Sequence, residues 1–143
     1  MKLSTPLIER AKEICLEAHA GQTDKSGVPY YTHPFHLAEQ MDTQEEICVA
    51  LLHDVMEDTT WTAEQLRQAG MTEPIMEALQ LLCHDKAVPY MDYVRSIKGN
   101  PLARKVKQAD LRHNSDLSRL AVVTEKDLLR VEKYKQAMAI LEA

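Results

Sequence analysis

The chain has 143 residues, 45% of them apolar, with four glycines, one phenylalanine and a formal charge of −5. That length suits one compact core and leaves little room for a second, so a single domain over residues 1–143 is expected. The acidic balance argues against a generic nucleic-acid binder, and no apolar run approaches the roughly eighteen residues of a membrane span. Sparse strand-forming aromatics beside plentiful leucine, alanine and glutamate favour helices over sheet. Residues Met1 to Pro6 lack the apolar core and cleavage site of a signal peptide. Cys15, Cys48 and Cys83 are odd in number, widely spaced and set among apolar residues, as buried thiols of a reducing compartment are. A cytoplasmic protein is expected; its oligomeric state is left open.

Thr5 with Pro6 opens the first helix, whose stripe runs through Leu7, Ile8, Ala11, Ile14, Cys15 and Ala18 to a stop at Gly21. His19, at its end, reads as a capping or core histidine. Residues 21–34 form the longest loop. Gly21, Gly27 and Pro29 break regular structure there, and Lys25 and Ser26 offer a cation, a hydroxyl and free backbone donors, which suit either a phosphate-holding loop or an ordinary surface connection. Pro34 starts a short helix carrying Phe35, Leu37, Ala38 and Met41, with His33 just before it and His36 structural.

Thr43 and Glu46 make a capping box for a central helix whose apolar residues surround it on nearly every side. It runs into Ala50-Leu51-Leu52-His53-Asp54-Val55-Met56-Glu57-Asp58. On a continuous helix Glu57 stands one turn beyond His53, and Asp58 one turn beyond Asp54. Two groups would then hold a cation, with two carboxylates beside it to act on water or a leaving group; the other reading is a solvated helix end. Ionisable groups at the end of a buried helix need partners, and a metal satisfies that need.

Thr62 with Gln65 opens a further helix ended by Gly70, and Thr72-Glu73-Pro74 the next. That one leads to a second dyad, His84-Asp85, which has no carboxylates after it and reads as a decoy. A helix over residues 89–98 follows, then one capped by Asn100-Pro101 that reaches Asp110 and Asn114. Between Arg95 and Arg119 stand seven basic residues against two acidic ones, either a local field for a small polyanion or a solvated helix face. Thr124 opens a long closing helix with Leu128, Leu129, Val131, Tyr134, Ala137, Met138, Ile140 and Leu141 on its docking side.

His33, His53-Asp54 and Asp110, each beside a helical element, resemble the H…HD…D signature of the HD-domain metal-dependent phosphohydrolases. Within that superfamily the chain is most similar to the hydrolase domain of RelA/SpoT-type enzymes and their small stand-alone relatives. The likeness also rests on Ala18-His19-Ala20-Gly21-Gln22, Lys25-Ser26-Gly27, Pro29-Tyr30, His33-Pro34, Ala109-Asp110 with His113-Asn114, and Arg130 with Lys133-Tyr134. It implies an all-α HD-domain helical bundle with one divalent cation, usually manganese, held by His33, His53, Asp54 and Asp110. Glu57 and Asp58 are then the acidic pair that positions or deprotonates water, and Lys25, Ser26 and Asn114 match positions that contact substrate or shape its pocket. The implied reaction removes the 3′-pyrophosphate from guanosine tetra- or pentaphosphate, (p)ppGpp. Other readings are the same chemistry on another phosphorylated nucleotide, such as a nucleoside phosphate or NADPH, or a nucleotide-binding module without turnover.

Two departures bear on substrate. Asp24 stands where the family has an arginine that packs on guanine, and Asp110-Leu111-Arg112-His113-Asn114 rearranges the usual Asp-Arg-Leu-His-Asn. Guanine is then left to Tyr30, Tyr31 or loop backbone, and Asp24→Arg is expected to lower KM.

Overall fold

The computed structural model describes residues 1–143. Its helices are α1 (Pro6–Ala18), α2 (Thr32–Glu39), α3 (Gln44–Leu52), α4 (Val55–Asp58), α5 (Ala63–Gln68), α6 (Glu73–Leu82), α7 (Tyr90–Ile97), α8 (Pro101–Asn114) and α9 (Glu125–Glu142). A 3-10 turn covers Leu117–Arg119, and the one β-type contact is an isolated bridge between Thr23 and Pro29. The fold is all-α.

The sequence signals set most of the helix starts. Thr5 accepts from the Ile8 amide, and Thr43, Thr62 and Thr124 each form a reciprocal capping box that satisfies amides the first helical turn leaves unpaired. Residues Ile47 to Leu52 are all buried, because α1, α2, α6 and α8 pack around α3. An apolar helix with no polar face has no other stable place. Cys15 and Cys48 are buried free thiols, pushed up to about 12 by desolvation, and Cys83 is half-buried. No helix is long and apolar enough to cross a membrane.

Three expectations are corrected. First, α2 begins at Thr32, so His33 lies inside its first turn; a proline is tolerated there because the amide it lacks has no intrahelical acceptor. Second, the backbone donors of this loop are not free: residues 22–30 form a tight hairpin-like turn, with Asp24 N bonded to Val28 O and Tyr30 N to Gln22 O, both at 2.8 Å. Gly27, at φ 79°, takes the left-handed conformation this turn requires. Third, Leu128 and Leu129 do not dock: they are 57% and 67% exposed, while α9 buries Ala137 and Leu141 against its neighbours.

Candidate metal centre and adjoining cleft

The central helix does not continue through the His-Asp dyad. It breaks at His53 and Asp54 and resumes as α4. A local reason is visible in the His53 ring, whose Nδ1 lies 2.7 Å from the Ala50 carbonyl. That carbonyl is the acceptor that the Asp54 amide takes in a continued helix. The side chain therefore competes with the backbone, and the helix opens at the dyad. The same bond places a hydrogen on Nδ1 and leaves Nε2 as a lone-pair donor.

His33 comes from α2, His53 and Asp54 from the break, and Asp110 from α8. Ligand atoms of His33, His53 and Asp54 all lie within 4.8 Å of one another. Asp110 joins them through the imidazoles: its Oδ1 stands 2.8 Å from His33 Nε2 and 3.5 Å from His53 Nε2. His53 Nε2 is also 3.0 Å from Asp54 Oδ2, yet it is buried without a hydrogen-bond partner. The Tyr30 hydroxyl donates to Asp54 Oδ2. Lys107 Nζ binds Asp110 Oδ2 at 3.0 Å, and Asn114 Nδ2 donates to Asp110 Oδ1 at 2.9 Å.

The electrostatics follow from this packing. Burial pushes the Asp110 carboxyl up, but Lys107, His33 and His53 outweigh it and hold the group well below the usual carboxylate range. Burial pushes His53 down, and Asp54 with Asp110 more than reverse this. Burial raises Asp54 too, and His53 overrides it. Buried Asp110 and half-buried Asp54 thus draw positive charge onto the orphaned nitrogen. A divalent cation meets the same demand with the lone pair left free. Metal–ligand bonds of about 2.1 Å put neighbouring ligands about 3 Å apart and opposite ones about 4 Å. The His33–Asp110, His53–Asp54 and His53–Asp110 contacts of 2.8, 3.0 and 3.5 Å fall in that range, while Asp110 stands outside the trio whose ligand atoms all lie within 4.8 Å of one another. Two imidazoles and two carboxylates are donors that manganese, iron, cobalt or zinc accept. The residues fit a divalent cation.

The second layer was missed from the sequence. His33 Nδ1 and His113 Nδ1 are 2.6 Å apart, and their rings are parallel to within 6° with centroids 4.9 Å apart. Because the centroids lie so much farther apart than the nitrogens, the rings meet edge to edge and share one proton; they are not stacked face to face. His36, expected to be structural, stacks on the His113 ring with a centroid distance of 4.1 Å. Burial and the neighbouring His33 push His113 down to about 4, so it is neutral and able to accept. The sequence signal was the His113-Asn114 pair after Asp110, which places His113 and Asp110 one turn apart on the same helix.

The acidic pair divides. Glu57 lines the metal-centre cavity, about 180 Å³ in volume, with His53, Asp54, Tyr90, Lys107 and Asp110, and its Oε1 accepts from the His84 amide at 2.7 Å. Asp58 is exposed as a residue and lies outside that lining; partial desolvation of its carboxyl, with Asp54 and Glu57 nearby, pushes it up to about 6. His84 and Asp85 are not in the ligand cluster, but His84 walls the cavity and stacks on Tyr93 at 4.4 Å. His19 bonds Gln22 at 2.9 Å, as a core histidine does.

A second cavity, about 290 Å³, adjoins the first through Asn114 and Tyr134, which line both. Lys25, Ser26, Tyr30, Arg119 and Arg130 face it. The expected free donors of the loop are taken, since Asp24 Oδ1 accepts from the amides of Ser26 at 2.8 Å and Val28 at 3.0 Å. Ser26 Oγ donates to the Arg119 carbonyl at 3.0 Å. Asp24 is therefore the residue that shapes the loop. Tyr31 packs edge-on against Phe35 at 5.6 Å and does not line the cavity. Of the basic segment, Lys105 pairs with Asp42 and Glu46, Arg95 with Asp92 and Lys107 with Asp110. Only Lys107 and Arg119 reach the cleft, so the segment creates no broad positive face.

Helical fold and His–Asp cluster together define an HD-type domain. No protein-family model matches the chain. Its relatives place it with the (p)ppGpp hydrolase-like domains of SpoT-type enzymes. It is 32% identical over 121 residues to the bifunctional (p)ppGpp synthase/hydrolase SpoT of Escherichia coli K12, covering 75% of this chain. It is 43% identical over 65 residues to the guanosine-3′,5′-bis(diphosphate) 3′-pyrophosphohydrolase of Aquifex aeolicus, covering 43% of this chain and 9% of that one. The chain spans only 17% of the length of the E. coli relative. A solved metazoan ortholog of SpoT that hydrolyses ppGpp shares the fold, with a TM-score of 0.71 at 20% identity over 99% of this chain and 85% of that one.

Proposed function

We propose that the protein is a manganese-dependent 3′-pyrophosphohydrolase of (p)ppGpp. The observation that carries this reading is the junction of the two cavities: a His–Asp cluster fit for a divalent cation opens, past Asn114 and Tyr134, into a cleft lined by Lys25, Arg119 and Arg130. The relatives' activities support the choice of substrate. His33, His53, Asp54 and Asp110 hold the ion. When bound, the metal lowers the pKa of water and neutralises charge on phosphate oxygens.

The chain's own residues do the rest. Tyr30 and Lys107 each engage one ligand oxygen, of Asp54 and Asp110 respectively, and so fix which oxygens face the ion. Glu57, aimed by the His84 amide, takes the proton of the attacking water at its carboxylate. Asp58 modulates Glu57 through its charge. As water's oxygen bonds to phosphorus, the bond to the ribose 3′ oxygen breaks, that oxygen takes a proton, and pyrophosphate leaves. Asn114 positions Asp110, and Lys25 serves the nucleotide's phosphates.

Two substitutions separate binding from turnover. Asp54→Ala is expected to abolish metal binding and hydrolysis together. Glu57→Gln is expected to keep the metal and slow hydrolysis about 10²–10⁴-fold. Full activity of Glu57→Gln on ppGpp removes Glu57 from this role.

A further inference from the structure

Three cations line the second cavity, and two of them share one fixed carboxylate. Arg130 Nη2 is 2.8 Å from Asp127 Oδ1, and Lys25 Nζ is 3.8 Å from the same oxygen. Asp127 is itself anchored by the capping box with Thr124. Arg119 is different. Its neighbour Asp24 already accepts two backbone bonds, and Arg119 Nη1 lies 3.6 Å from Asp24 Oδ2, an ion pair without a hydrogen bond. Its one hydrogen bond runs from Nη2 to the His113 carbonyl at 3.2 Å. A guanidinium carries five N–H donors, so most of its fork is unspent. Its backbone is tied to the loop through Ser26. The fork is thus both placed and available, in a cavity that also holds Tyr30 and Tyr134.

The same cavity is lined by two carboxylates, Asp24 and Asp116. Asp116 Oδ1 is taken by the Ser118 amide and hydroxyl and Asp24 Oδ1 by its loop amides, so each acid keeps Oδ2, which opposes a phosphate but accepts from N–H groups. A ligand that presents acceptors to Arg119 and donors to the acids fits both. Guanine does so, with O6 and N7 as paired acceptors on one edge and N1–H and an amino group on the other. Adenine places an amino donor beside N7, where it meets the guanidinium donors. On the reading of this cleft as a nucleotide site, we infer that Arg119 is its specificity-determining residue, reading the O6/N7 edge of a guanine base. Asp24 holds Arg119 toward that edge.

Calorimetric titration of the metal-loaded chain with GDP, ADP, 7-deaza-GDP and pyrophosphate tests this. Wild type is expected to prefer GDP to ADP by about tenfold or more, the scale of one bidentate arginine contact, and to bind 7-deaza-GDP less tightly than GDP. Arg119→Ala is expected to bind all three nucleotides alike, with pyrophosphate affinity unchanged. Arg119→Lys keeps the charge without the planar fork and is expected to lose the preference as well; thermal melts of both variants report that they are folded. Asp24→Asn retains a carbonyl oxygen to accept the two loop amides and is expected to weaken the preference only when Arg119 is present. A GDP preference that survives Arg119→Ala and Arg119→Lys overturns the inference. So does an equal loss of pyrophosphate and all nucleotides, which makes Arg119 a phosphate ligand, and so does a wild type without preference. Arg119-dependent guanine preference in a protein that releases no pyrophosphate from ppGpp leaves the inference standing and removes the hydrolase reading.

Discussion

Replacing His113 by phenylalanine keeps a ring beside His36 and removes the acceptor for His33 Nδ1. The geometry defines the consequence. His33 has two polar neighbours, His113 at Nδ1 (2.6 Å) and Asp110 at Nε2 (2.8 Å). With His113 present to accept from Nδ1, His33 would offer its Nε2 lone pair to a bound ion; without an ion, Nε2 lies 2.8 Å from Asp110 Oδ1, a contact that needs a hydrogen on that nitrogen. Without His113, the favoured tautomer donates from Nε2 to Asp110, which blocks a ligand position and occupies a second ligand's oxygen. Loss of such a supporting contact typically weakens metal binding by 10- to 100-fold, or about 1.4–2.7 kcal/mol. Titrating free manganese by electron paramagnetic resonance reads the change directly. Nitrogen-15 spectra of the zinc-loaded chain report which His33 nitrogen bears hydrogen. His113→Gln, which retains an acceptor, is expected to recover part of the affinity. Unchanged manganese affinity in His113→Phe, with His33 still protonated on Nδ1, refutes the argument.

Asp58 in metal-free protein is expected to titrate near pH 6, followed by carbon-13 carboxyl shifts; a midpoint near pH 4 contradicts its assigned surroundings. Its folded pKa is raised, so between about pH 4 and 6 the native state binds more protons than the unfolded state, and stability falls as pH rises through that window. Asp58→Asn is expected to remove that decline in melts across the same range. Asp24→Arg, read from sequence alone as restoring a lost cation, is now expected to raise KM, because it deletes the acceptor for two loop amides and repels Arg119; a lowered KM returns Asp24 to the role of a missing cation. Leu128→Lys and Leu129→Lys are expected to shift unfolding free energy by no more than about 0.5 kcal/mol, whereas a shift above about 2 kcal/mol means that this face of α9 is covered.

The helix starts were legible because threonine caps and proline positions are local, and local chemistry survives into the fold. The grouping of His33, His53, Asp54 and Asp110 was legible only through a family pattern, since no spacing joins residues from three separate elements. The break at His53–Asp54 was not legible: it depends on which carbonyl an imidazole reaches, and the spacing of Glu57 and Asp58 was read on a helix that does not continue. The part Asp24 plays in the loop was not legible, because its two amide partners and Arg119 are visible only once the turn is folded. The exposure of Leu128 and Leu129 follows from where α9 meets its neighbours, which periodicity does not encode.

Phosphorus-31 spectroscopy of purified chain incubated with ppGpp and manganese tests the central claim most directly. The expected record shows GDP and pyrophosphate appearing in equal amounts, no reaction when the metal is chelated, and none with Asp54→Ala. Intact ppGpp after incubation with metal-loaded protein, alongside efficient hydrolysis of another nucleotide, contradicts the assignment.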